Sequence, residues 1–139
     1  MIRLKKSDLA SIRQFAQETY PNECCGIMVG SVDGDTKSVN ELIPAVNERT
    51  DSLTNRFLIP SDFVQEIEAE LRHTDSSIVG FFHSHPDVLA RPSAYDQGHA
   101  WPWYSYLIVS VMQGQAGEVL NWKLKDDRSA FDPETIDVL

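Results

Sequence analysis

Residues 76–86, SSIVGFFHSHP, constrain the fold more than any other stretch of the chain. A strand of small and apolar residues runs into His83 and His85, and Pro86 stops it because proline has no N–H to give to a ladder. Two residues apart on a strand, both imidazoles leave from the same face and stand at the strand's open end. The chain continues as DVLARPSAYD, so Asp96 returns after a turn that Pro92 helps to fix.

Two imidazoles and one carboxylate suit zinc, and three protein ligands leave a fourth position open, which separates a catalytic site from a structural one. Plainer readings of each piece stand beside this one. Surface strands carry His-x-His pairs by chance, and Ser93-Ala94-Tyr95-Asp96 is also a capping box with Asp in place of Glu, which could do no more than start a helix. The whole pattern, His-x-His followed by seven residues, Ser, two residues and Asp, is far more restrictive than its parts.

A hydrolytic metal site also needs a base, and residues 83–96 contain no glutamate. In PNECCGIMVG, Glu23 sits just before an apolar strand, where it is either a solvated loop residue or a group projecting from the strand's end into a cleft. In the second case, a pairing of that strand with the histidine strand would let Glu23 act as general base.

The rest of the chain reads as α+β. Leu9, Ile12, Phe15 and Ala16 have helical spacing between Ser7, a plausible cap, and Pro21, a stop. CCGIMVGS is a strand, GDT a turn, and KSVNELIPAV a second strand. Residues 47–58 are polar and irregular. Pro60-Ser61-Asp62 opens a helix with Phe63, Ile67 and Leu71 on one face, and Ser93–His99 reads as a short helix. After a Trp-Pro-Trp corner, YSYLIVSVM, GEVLNWKLK and SAFDP supply further strands, with QGQAG as a hairpin-like connection.

At 139 residues, one domain spanning 1–139 is expected. The net charge of −9 argues against nucleic acid or an anionic membrane as main partner. No apolar run approaches the length of a bilayer span, and the start, MIRLKKSDLASI, lacks an apolar signal core. The two cysteines, Cys24 and Cys25, are adjacent and would point to opposite faces of a strand, so free thiols in a reducing cytoplasm are expected. Inert packing fits them better than a nucleophile's role. His73 reads as solvated, and His99 as a helix-end residue making ordinary contacts rather than supporting a ligand. Trp101, Trp103 and Tyr104 read as core in preference to a cleft rim.

Glu23 in P-x-E-x-C-G, followed by His83-Ser84-His85-Pro86, Ser93 and Asp96, resembles the JAMM (MPN+) metalloprotease family, and RPSAYDQGHAWPWYSYLIVSV resembles its small bacterial members. The likeness covers most of the chain and fills every position of the family pattern. It implies the MPN fold, cytidine-deaminase-like, with a mixed, barrel-like sheet flanked by helices. It also implies one zinc ion held by His83, His85 and Asp96, with Glu23 as general acid/base and Ser93 stabilising the oxyanion. Ser84 points to the other strand face and takes a structural role. The implied reaction is hydrolysis of a peptide or isopeptide bond after the C-terminal Gly-Gly of a ubiquitin-like or sulfur-carrier protein, with residues 47–58 pairing with the substrate's tail. Two rivals remain at this level: a catalytically silent MPN-type scaffold, and a non-haem iron enzyme, since two His and a carboxylate also form the iron triad.

Overall fold

Alternation along β4 (Ser77–Pro86) decides how the other elements pack. Ser84, Phe82 and, across an irregularity in the β2–β4 pairing, Val79 are buried toward one face of the sheet, while His83 and His85 are buried and Phe81 half-buried toward the other. The structure, a computed structural model, describes residues 1–45 and 59–139. The substrate-pairing segment expected at residues 47–58 lies outside the described residues.

In chain order the elements are β1 (Ile2–Leu4), α1 (Lys6–Thr19), β2 (Cys25–Asp33), β3 (Thr36–Ala45), α2 (Ser61–Leu71), β4, α3 (Ala94–His99), β5 (Ser105–Met112), β6 (Gln115–Leu124), β7 (Phe131–Pro133) and β8 (Ile136–Val138). The strands form one mixed sheet in the order β7-β6-β5-β4-β2-β3-β1-β8. Most expected elements are present within a few residues. Gln115, Ala116 and Gly117, expected in the connection, belong to β6, and the hairpin turns at Gln113 and Gly114, both at positive φ. β1 and β8 were not expected; they pair in parallel with each other, and β1 also pairs with β3.

β4 lies between two different neighbours. β2 runs antiparallel to it, with Cys25 opposite His83, and β5 runs parallel, with Gly80 opposite Ser105. The parallel pairing needs a crossover, and residues 87–104, including α3, supply it. Gly80 is required at this crossing, because a Cβ there would sit 2.1 Å from the Ser105 carbonyl oxygen.

Each face of the sheet carries its own apolar core. α1 lays Leu9, Ile12 and Ala16 over Met28, Val79, Phe82, Leu107 and Val109. On the opposite face, α2 packs Ile67 against Ile27, Val29 and Ile78, while Ala90, Tyr106, Ile108 and Trp122 gather under the α3 crossover. A polar clasp joins elements distant in sequence: the ammonium of buried Lys37 on β3 donates to the Trp103 carbonyl and the Ser105 hydroxyl and lies 3.8 Å from Glu134 Oε2. Glu134 Oε1 in turn accepts from Ser105 Oγ at 2.5 Å and from Asn121 Nδ2 at 2.9 Å. Among the described residues, no helix is long and apolar enough to cross a membrane.

Candidate active site

His83 and His85 do leave β4 on one face, and both are buried, with Nε2 atoms 3.2 Å apart. The His85 Nδ1–H donates to the Leu89 carbonyl at 2.9 Å, which leaves the Nε2 lone pair facing His83 and Asp96. The loop after Pro86 is held on several sides: Asp87 N–H donates to the Val111 carbonyl, Ser110 Oγ to the Val88 carbonyl at 2.5 Å, and Trp122 Nε1 to the Ala90 carbonyl at 2.9 Å. Leu89 is thereby fixed as a backbone acceptor, a role its side-chain identity does not advertise in the sequence.

Asp96 reaches the same point from α3. Ser93 caps this helix; its Oγ accepts from the Asp96 N–H at 3.1 Å, and its own N–H donates to Asp96 Oδ2 at 2.8 Å. The capping box is therefore real, and it is also what aims the carboxylate. Asp96 Oδ2 lies 3.2 Å from His85 Nε2 and 3.4 Å from His83 Nε2. The cap uses a lone pair of Ser93 Oγ, so the hydroxyl proton stays available to donate, and Ser93 is exposed at the cleft edge.

Burial pushes His83 down, against the pull of the Asp96 carboxylate, so its imidazole is neutral at neutral pH. Burial also works against a charge on His85, but its bonds to Asp96 and the Leu89 carbonyl win and raise it. Burial alone would raise Asp96, yet the imidazoles and the Ser93 N–H hold it far below the ordinary carboxylate range. With neither imidazole carrying a proton on Nε2, the Ser93 N–H is the donor that favours the ionised Asp96. With both imidazoles neutral, two nitrogen lone pairs and an anionic oxygen face a common centre.

The three separations in the structure are 3.2, 3.2 and 3.4 Å, close enough for all three atoms to share one metal ion.

Glu23 is the fourth group, and the solvated-loop alternative fails: its side chain is on the cleft side and only 1 % exposed. Pairing of β2 with β4 brings it there, and a Glu23 carboxylate oxygen and a ring nitrogen of each of His83 and His85 all lie within 4.8 Å of one another. Glu23, His85, Ser93, Val88 and Tyr95 line an open cleft of about 340 Å³. Ser84, on the opposite face as expected, takes a hydrogen bond from the Cys24 N–H at 2.8 Å.

The remaining candidates divide. Cys24 and Cys25 are buried free thiols, pushed up by desolvation to about 11 and about 12, and hence inert at neutral pH. The His99 ring N–H donates to the Tyr95 carbonyl at 2.9 Å and stacks on the Tyr95 ring, and His73 is exposed. The core assignment of the tryptophans is wrong. Trp101 is 65 % and Trp103 42 % exposed; the Arg128 guanidinium lies over the Trp101 ring, and Trp103, at φ 81°, sets its ring against the Lys37 ammonium. Trp101 and the half-buried Tyr104 border a groove of about 790 Å³ beside α2.

Comparison with known proteins places this geometry in context. The family model described as prokaryotic homologs of the JAB domain matches residues 5–125. The chain is 36% identical to the desampylase of Haloferax volcanii over 107 residues, which cover 76% of this chain and 75% of that protein. A solution structure of a Desulfitobacterium hafniense protein superposes with a TM-score of 0.85 at 30% identity, covering 100% of this chain and 93% of the other. A JAB1/MPN domain protein from Archaeoglobus fulgidus superposes with a TM-score of 0.59 at 19% identity, covering 99% of this chain and 97% of that one, a likeness of fold.

Proposed function

Because the chain belongs to the family of prokaryotic homologs of the JAB domain, and so to the JAMM-type hydrolases, we propose that it is a zinc-dependent metallo(iso)peptidase of ubiquitin-like proteins. It hydrolyses the bond after a C-terminal Gly-Gly of a ubiquitin-like or sulfur-carrier protein, with residues 1–139 acting as one such domain. The observation that carries the reading is the convergence of His83 Nε2, His85 Nε2 and Asp96 Oδ2 at 3.2–3.4 Å, with the buried Glu23 carboxylate alongside.

His83, His85 and Asp96 hold the metal. When bound, zinc supplies a Lewis acid for the scissile carbonyl and lowers the pKa of a water to about 7. Glu23 takes the proton of the attacking water on a carboxylate oxygen and delivers it to the leaving amine. Ser93 donates its hydroxyl proton to the oxyanion that develops on the substrate carbonyl, an interaction of a kind worth about 3 kcal/mol. Asp96 stays committed to the metal because the helix cap fixes it, and the Leu89 carbonyl keeps the His85 Nε2 lone pair pointed inward. A Gly-Gly end suits a narrow approach to such a buried centre, since only residues without side chains thread it.

The test has two arms. Protein purified without chelator should carry one zinc per chain by elemental analysis, with His83→Ala and Asp96→Ala each well below half. Carrier proteins extended beyond Gly-Gly should be cut after the second glycine. Iron in place of zinc, or no metal in an inactive protein, overturns the reading. Equal cleavage of an unstructured peptide makes the enzyme a broad peptidase instead.

A further inference from the structure

Ser84 stands between two metal-ligand candidates and faces away from both. It is fully buried on the α1 side of the sheet, opposite Val109 on β5 and two residues from Phe82. A hydroxyl among such neighbours is costly unless it is hydrogen-bonded. Its partner lies on the next strand: Ser84 Oγ accepts from the Cys24 N–H at 2.8 Å, and the Ser84 N–H donates to the Cys24 carbonyl at 3.1 Å. One residue thus holds both polar backbone atoms of Cys24.

The place of this clamp in the ladder matters. The pairing of β2 with β4 begins at Cys25, opposite His83, and toward Glu23 the chain turns away to Asn22 and Pro21. The Ser84 side chain therefore extends the strand contact by one residue, to the peptide unit joining Glu23 to Cys24. We infer that Ser84 is a positioning residue: by gripping Cys24 from behind the sheet, it sets where the Glu23 carboxylate stands relative to His83 and His85. A single strand segment would then aim ligands from one face and the base from the other. The inference rests on Glu23 being the base of the proposed hydrolase. A misplacement of about 1 Å in such a group costs about 10²-fold in rate.

Ser84→Ala removes the acceptor, and Ser84→Cys, a little larger, keeps a group at γ while offering only a weak one. Both should retain one zinc per chain and a KM within about 2-fold of wild type. Their kcat should fall about 10- to 100-fold, because ligands and substrate contacts are untouched. In the zinc-free protein, amide exchange at Cys24 should quicken at least about 10-fold, with the rest of β2 and β4 still protected. Wild-type kcat in either variant, or wild-type exchange at Cys24, overturns the inference. So does a loss of protection spread over both strands, which would make Ser84 a residue of folding alone. A wild-type chain inactive on every Gly-Gly fusion would count against the functional reading, and the exchange at Cys24 tells the two failures apart because it needs no catalysis.

Discussion

Glu23→Gln preserves the size of the side chain and most of its hydrogen bonding while removing its capacity to take a proton. Turnover of a Gly-Gly fusion should fall about 10²- to 10⁴-fold, with zinc content and melting temperature close to wild type. Loss of zinc in this variant would instead make Glu23 a ligand. The contrast between Glu23 and the proposed ligands also marks what single residues reveal. His83, His85 and Asp96 are legible because they fall within residues 83–96 and obey a two-residue strand period and a helix cap. Glu23 on its own is a glutamate beside an apolar run, a base only if that run pairs with the histidine strand, and likeness to a family is what favours that reading over a solvated loop. Its burial follows from which strand lies next to β2, a long-range fact no local pattern carries. Trp101 and Trp103 mislead for a related reason: their size argues for the core, while the fold leaves both exposed, with Arg128 and Lys37 set against their rings.

Elements long enough to show a period were legible at the next scale. α1 and α2 bury one stripe each, and β4 and β5 are apolar enough to declare themselves. β1 and β8 have three residues each, too few for any period to register, and exist because each has a partner to pair with. The clasp of Lys37, Ser105, Asn121 and Glu134 was equally hidden, since its members are ordinary polar residues until the strands meet. Glu134→Gln leaves the buried Lys37 ammonium without its counter-charge and should cost about 3 kcal/mol by denaturant unfolding. The wild-type dependence on pH has a definite sign. Burial would raise Glu134, but the Ser105 bond and the Lys37 charge outweigh it and hold it below its ordinary 4.5. The unfolded chain then binds this proton more readily, so the stabilisation is complete above about pH 4.5 and fades as the pH falls below that. Acid titration of stability in wild type and Glu134→Gln should converge at low pH; parallel curves would assign no role to this carboxylate.

For the molecule as a whole, metal and stability are linked if the centre forms only in the native state. Zinc at 100 times its Kd should add about 2.7 kcal/mol, so a chelator should lower the melting temperature of the loaded protein and His83→Ala should remove the response. A melting curve indifferent to chelator would favour the silent scaffold. The proposed ligands and the proposed base also differ in how far the chain must travel to assemble them. His83, His85 and Asp96 fall within residues 83–96, at the start of the β4–α3–β5 crossover, whereas Glu23 lies sixty residues before His83 and arrives only when β2 docks. Short loops close sooner and at lower entropic cost than long ones. On dilution from denaturant, zinc capture by a dye-displacement assay should therefore run ahead of recovered cleavage. Metal content would then overcount working molecules, because a chain can be fully loaded while its sheet is still open on the side from which the base must come.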